Sequence, residues 1–248
     1  MGPIGIVAAL EAEAHALGTA RRHENPVLRL HDGALLAISG IGAEAAAHAA
    51  RRLVDAGAQG LVSWGMAGAL DPALRAGDLV LPGKVITPNV ASISMSADWR
   101  DWLAERLAET IARSRAAQFA VCDGVLLTSP VAIDTVAAKA AALRTTLAVA
   151  VDMESAAVAT VAVDRGLPCI AVRAIVDTAA DCLPRAVLAA SRSGQVRIAS
   201  LARELLRAPH DIAPLLRLVG RYRAAKRTLL CVARVGLNFP QSGAARHA

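Results

Sequence analysis

Along the chain, short apolar runs of strand length alternate with stretches whose apolar residues recur at helical spacing. Residues 4–10, IGIVAAL, predict a buried strand, and EAEAHAL, directly after it, the start of a helix. VLRLH and ALLAIS flank Asp32-Gly33, a dipeptide favoured in tight turns, and predict a hairpin. A helix is expected over AEAAAHAARRLVDAG, entered from Gly40-Ile41-Gly42 and stopped by Gly57. GLVSWG predicts the next strand, with MAGALDP as the loop that leaves it. GDLVLPGKVI and FAVCDGVLLTS read as further strands, separated by a helix from Trp99 to about Arg115. A helix over 134–144, the strand LAVAV, a helix over 153–165, the strand PCIAVRAIV and a helix over 184–207 complete the series. Such alternation is the signature of a largely parallel sheet covered by helices, so the expected fold is α/β, a mixed central sheet flanked by helices.

The pattern changes near residue 208, which sets the expected division into a catalytic-sized domain, 1–208, and a C-terminal extension, 209–248. PLLRLVGRYRAAKRTLLCVARVGL carries Arg217, Arg221, Arg223, Lys226, Arg227 and Arg234 without one acid, and its apolar residues partly follow helical spacing. Two readings stay open. A basic amphipathic helix suits the face of an anionic membrane; it equally suits packing on the domain or on another subunit.

Composition narrows the partners. Of 248 residues 55% are hydrophobic, ample for one sizeable core, yet only six are aromatic, so packing rests on small aliphatic side chains. That scarcity argues against a base-stacking platform, and nucleic acid is not an expected partner. A net charge of +6 points to an anionic one. Cys122, Cys169, Cys182 and Cys231 form no pair or framework, which predicts a reduced, cytoplasmic setting with neither zinc nor disulfide. The six histidines show no metal-ligand spacing, and no metal is expected. The first apolar run lacks a basic n-region and reads as fold, not as a signal peptide. No charge-free segment reaches the roughly 18 to 20 residues needed to span a bilayer.

Ligands of open α/β sheets gather beyond the carboxyl ends of strands, which directs attention to four junctions. Glu11 and Glu13 follow the first strand, GMAGAL (65–70) follows another, Asp152 and Glu154 close LAVAV, and Asp177 closes CIAVRAIV. Each has a plain structural reading: acids favour a helix N-terminus, Asp177 can cap a helix, and small residues allow close packing. Their occurrence at four strand ends together argues for a site.

IGIVAALEAEAHAL, SGIG, SWGMAGALDPALRAGDLVLP, VDMESAAVA and VRAIVDTAAD, in this order and spacing, resemble the purine nucleoside phosphorylase and methylthioadenosine/S-adenosylhomocysteine nucleosidase superfamily over residues 4 to about 205. With SPVAIDTVAAKAAALR and the basic tail, the chain is most similar to the hopanoid-associated phosphorylase branch. The resemblance implies removal of adenine from adenosylhopane in hopanoid lipid synthesis, at the inner membrane face, by a homo-oligomer, with no cofactor. Glu154 falls on the Met-Glu pair whose carboxylate accepts the ribose hydroxyls, a task that suits two charged acceptor oxygens; Met153 would pack on the sugar. Asp177 matches the acid that protonates purine N7. Val131, Ala132 and Ile133 match the segment whose backbone meets the base edge, and Met66 and Gly68, in the loop after GLVSWG, are expected to bind substrate as well.

The nucleophile stays open at this level. Glu13 matches the glutamate that activates water, which implies hydrolysis. Phosphorolysis needs an anion cradle, for which Gly40 and Gly42 before a helix are candidates, together with Ser63; inorganic phosphate would then be a co-substrate. Ser63 and Met66 stand where hexameric phosphorylases carry Arg and Ser. Two other readings remain beside adenosylhopane cleavage: a nucleosidase for soluble methylthioadenosine or adenosylhomocysteine, and a non-enzymatic basic module at a membrane surface.

Overall fold

The computed structural model describes residues 2–18, 26–89, 92–114, 119–182 and 212–238, with the side chains of 212–218 excepted. In chain order the elements are β1 (Gly5–Ala8), α1 (Glu11–Ala14) running into a 3₁₀ turn (His15–Leu17), β2 (Leu28–Arg29), β3 (Leu35–Ile38), α2 (Ala43–Asp55) and β4 (Leu61–Ala69). Then come β5 (Leu79–Val80), β6 (Lys84–Ile86), β7 (Ser92–Ser94), α3 (Ala97–Arg113), β8 (Val121–Cys122) and β9 (Val125–Thr128). The series closes with α4 (Val136–Thr146), β10 (Ala148–Asp152), α5 (Ser155–Asp164), β11 (Cys169–Asp177) and α6 (Ile212–Val235). The helix expected over 184–207 lies outside the described residues.

All described strands join one mixed sheet in the order β2-β3-β1-β4-β10-β9-β6-β7, with β11 on β4 and β5, and β8 on β5. The fold is thus α/β in a single domain, as the alternation implies. β4 is the spine. β11 runs parallel to it from Leu61 to Gly68, β1 runs parallel on its other edge only from Leu61 to Trp64, and β10 joins that edge antiparallel at Gly68 and Ala69.

Helices α2 and α5 cover one face through Ala46, Ala49, Ala50, Ala156, Ala159 and Ala162, all buried. Methyl-sized side chains let these helices approach closely, which is how a chain so poor in aromatics reaches a dense core. On the other face, α3 and α6 bury Trp99, Leu103, Leu107, Ala225, Leu229 and Val232 against Ile6, Val62 and Val172.

Several expectations need correction. MAGALDP is not a loop throughout: β4 continues to Ala69, because β11 and then β10 supply backbone partners that the local sequence does not reveal. The two long strands GDLVLPGKVI and FAVCDGVLLTS are each broken. The second breaks at Gly124, where φ is +143° and the position of an added Cβ lies 2.9 Å from the Val149 side chain. β7 has no alternating pattern to announce it and exists by antiparallel pairing with β6.

The basic tail resolves in favour of packing for its described residues. α6 buries Ala225, Thr228, Leu229 and Val232, Thr228 Oγ1 donates to the Gly77 carbonyl at 2.5 Å, and Trp99 Nε1 donates to the Leu237 carbonyl at 3.2 Å. Arg223, Arg227 and Arg234 stay on the exposed side. Among the described residues no helix is long and apolar enough to cross a membrane.

Candidate active site

The gap on the β4 edge positions Glu13. β1 ends opposite Trp64 and β10 begins opposite Gly68, so the Met66 N–H has no strand carbonyl to meet. Glu13 Oε1 accepts it instead at 2.8 Å, Oε2 accepts the Leu10 N–H at 3.0 Å, and Trp64 Nε1 donates to the Glu13 carbonyl at 3.0 Å. Trp64 is therefore a core residue that fixes α1. Burial pushes the Glu13 carboxyl up, against the pull of Arg173 and of these N–H donors.

Arg173 of β11 pairs in register with Gly65. A Cβ at Gly65 would lie 2.5 Å from Arg173 Nη1 and 2.6 Å from Glu13 Oε1, so both groups occupy the space that a side chain would fill. The guanidinium is buried, and its Nε donates to Asp152 Oδ2 at 2.8 Å and its Nη2 to Ser63 Oγ at 2.7 Å and Ser155 Oγ at 3.1 Å. Arg173 thus pairs with a structural acid. Asp152 also accepts the Ser155 N–H at 3.1 Å and the Thr128 hydroxyl at 2.7 Å, which fastens the turn from β10 into α5.

That turn aims Glu154. Its Oε1 accepts the Gly42 N–H at 2.9 Å, at the N-terminus of α2 where the helix dipole favours an anion. Burial pushes the carboxyl up to about 7; Arg173 opposes this, and the Asp152 and Glu13 charges add to it. Glu13 and Glu154 therefore feel one another and share one cation.

Asp177 pairs in register with Gly68, and an added Cβ there would sit 3.1 Å from both carboxylate oxygens. Gly68 is flanked on its other side by Val151 of β10, three residues before Glu154. Met66 and Gly68, the contact points of Glu13 and Asp177 on β4, are two residues apart, about 7 Å along a strand. All three acids thus border one short length of β4.

Asp177 does not stand alone. The ammonium of Lys139, from α4, donates to its Oδ2 and, at 2.8 Å, to the Thr178 carbonyl. Burial pushes the Asp177 carboxyl up, and Lys139 holds it back. Asp181 Oδ2 accepts the Thr178 N–H at 2.8 Å and hydroxyl at 2.6 Å and meets Arg221 of α6 at 2.5 Å, so it orders the turn after Asp177. α6 reaches the site edge: burial raises the Tyr222 phenol, and the Glu13 charge adds to the shift.

Of the remaining expected residues, Met153 and Met66 are half-buried beside these acids, Ile133 packs on the small cluster of Leu70, Leu127, Ala148 and Val151, and Ala132 is exposed. Gly40 and Gly42 have φ of +86° and +103° with open space around them. Ser63, expected with them, lies on β4 and is buried in the Arg173 network. Lys139, Gly65 and Arg221 were not singled out as site residues from sequence. A lone lysine in AAKAAALR reads as a solvated helix face, and only the fold shows it buried. Among the described residues, no three His, Cys, Asp or Glu are grouped to hold a metal ion.

Residues 3–207 match the phosphorylase superfamily (PNP_UDP_1). The chain belongs to that superfamily. α6 lies beyond the matched span. No curated protein matches the chain. Its fold is similar to that of a 5′-methylthioadenosine/S-adenosylhomocysteine nucleosidase from Campylobacter jejuni, at 21% identity and a TM-score of 0.66 over 95% of this chain and 98% of that one. A Helicobacter pylori nucleosidase of the same name, in complex with butyl-thio-DADMe-Immucillin-A, is 22% identical, with a TM-score of 0.63 over 85% and 98%. Futalosine hydrolase from the same organism is also 22% identical, with a TM-score of 0.63 over 82% and 98%. In this superfamily member Glu13 fills the part of the β4 edge that β1 and β10 leave uncovered.

Proposed function

We propose that the chain hydrolyses the N-glycosidic bond of an adenine nucleoside. The observation that carries this reading is the placement of Glu13, Glu154 and Asp177 around residues 66–68 of β4, all three buried. Glu154 accepts the vicinal ribose hydroxyls with lone pairs that the Gly42 and Met153 N–H groups leave free. Asp177 delivers a proton to N7, so that adenine departs neutral. As the C1′–N9 bond lengthens, the sugar gains oxocarbenium character, which the adjacent carboxylates stabilise. Glu13 takes a proton from the water that attacks C1′.

Water is favoured over phosphate by two features. The Gly42 N–H, a candidate cradle donor, already serves a carboxylate, and a phosphate beside Glu13 and Glu154 would meet two acids that share a single buried arginine. Two nucleosidases and a hydrolase among the similar structures agree with this choice.

For the 5′ substituent, the resemblance to the hopanoid-associated branch makes adenosylhopane our preferred substrate. Exposed Arg223, Arg227 and Arg234 on α6 supply cations for an anionic headgroup surface without using the buried apolar face. The test is adenine release from adenosine, methylthioadenosine and adenosylhopane, with and without phosphate. Release that does not depend on phosphate is expected, fastest with adenosylhopane. A strict phosphate requirement sinks hydrolysis, and silence with all three substrates sinks the enzyme reading.

A further inference from the structure

Helix α4 holds on to the molecule in an unusual way. Of its eleven residues only Lys139 is buried, and that side chain is fully so. Burying an ammonium costs several kcal/mol unless it is well paired, and an apolar residue of similar size would anchor a helix at less cost. The pairing is specific: Lys139 reaches Asp177 Oδ2 and the Thr178 carbonyl. No described group donates to Asp177 Oδ1, and both carboxylate oxygens border the space left by Gly68. The other charged groups near Asp177 are Asp181 and Arg221, and these are bound to each other.

A carboxylate against a buried ammonium is a poor proton donor if it acts by itself, because the cation favours its ionised form. We propose that Lys139 holds the proton that leaves with adenine and passes it through Asp177. The inference rests on the hydrolytic reading above. As the C1′–N9 bond breaks, its electron pair stays on the base; Lys139 Nζ gives a proton to Asp177 Oδ2, and the carboxyl, turning about its Cβ–Cγ bond, passes that proton to N7. Lys139 ends as a neutral amine and Asp177 as the carboxylate it was at the start. Water contributes its oxygen to C1′ and its proton to Glu13. After product leaves, Glu13 loses that proton to solvent and Lys139 regains one. Lys139 touches no substrate atom; it is a positioning residue whose proton acts through Asp177.

The test compares two leaving groups. Adenine needs the proton, whereas p-nitrophenolate departs as a stable anion. K139M is expected to lower adenine release from adenosine by roughly 100-fold or more while p-nitrophenyl riboside is cleaved at near the wild-type rate. K139R keeps a cation and its donors but gives up no proton, so it is expected to show the same split even if K139M folds poorly. Wild-type adenine release by either folded variant overturns the relay, as does an equal loss with both substrates, which marks a purely structural anchor. Wild-type protein that cleaves p-nitrophenyl riboside yet releases no adenine overturns the adenine reading and the relay with it.

Discussion

The Gly42 N–H donates to Glu154 Oε1 at 2.9 Å, joining the start of α2 to the end of β10 across 112 residues of chain. Glu154 is therefore oriented by the protein itself. On the proposed reading its remaining acceptor capacity serves the ribose diol, so E154Q is expected to lower kcat/KM for adenosine by roughly 10- to 100-fold, the worth of one or two hydrogen bonds to a charged group. The same change should cost far less with 2′,3′-dideoxyadenosine. Equal losses with both nucleosides would remove Glu154 from sugar recognition.

Glu154 also predicts opposite pH trends for stability and binding. Its folded-state value of about 7 stands above the ordinary 4.5, so between these the folded protein holds a proton that the unfolded chain has lost. The stability that this group confers is thus full below about 4.5 and lost as pH rises through about 7, with a slope of up to about 1.4 kcal/mol per pH unit. Binding of an uncleavable adenine nucleoside analogue tightens over the same range, because the ionised form accepts the hydroxyls. Urea titrations and Kd measurements on wild type and E154Q isolate this group; a difference between them that is flat in pH counts against it.

Gly65 leaves room for Glu13 and Arg173 to converge. In G65A a methyl group would stand 2.6 Å from the carboxylate and 2.5 Å from the guanidinium, neither of which can retreat from the buried network. Expected results are a loss of about 1–3 kcal/mol from overpacking and a fall in turnover larger than that loss explains. Full activity with an unchanged urea midpoint would show that the two groups need not meet there.

Arg173 is the shared cation of Asp152, Glu154 and Glu13. R173M leaves three buried acids without it, and unfolding free energy should drop by about 3–5 kcal/mol at neutral pH. The deficit should shrink in acid as the carboxyls protonate. A pH-independent deficit would assign the effect to packing alone.

α6 is a structural part of the domain, so L229A should destabilise by about 2–5 kcal/mol, as for other buried leucines. R223A, on the exposed side, should leave stability unchanged. Liposome flotation with R223A, R227A and R234A combined checks the electrostatic contact; undiminished flotation would discard it.

Much of the fold was legible because its signals are local. β1, α2, β10, α5 and β11 follow from apolar runs and Ala-rich periodicity within a dozen residues. The acids at strand ends could be found because a charge closing an apolar run stands out. By contrast, the extension of β4 through MAGA depends on β10 and β11, which lie about 80 to 110 residues further on. Lys139 sits in an Ala-rich helix with no apolar stripe, where a lysine reads as solvated. The tail offered one sequence pattern for two partners, membrane or core, and periodicity cannot name what an apolar face packs against.

The alternating α/β plan, the superfamily resemblance and the carboxylates that close each strand can be read along the chain, since each signal is confined to a few neighbouring residues. Tertiary structure alone decided that Glu13 fills the gap between β1 and β10, that Gly42 holds Glu154, and that Lys139 meets Asp177. Those pairings follow from desolvation: once the sheet brings distant charges out of water, each must find a partner, and only the folded geometry specifies which one is within reach.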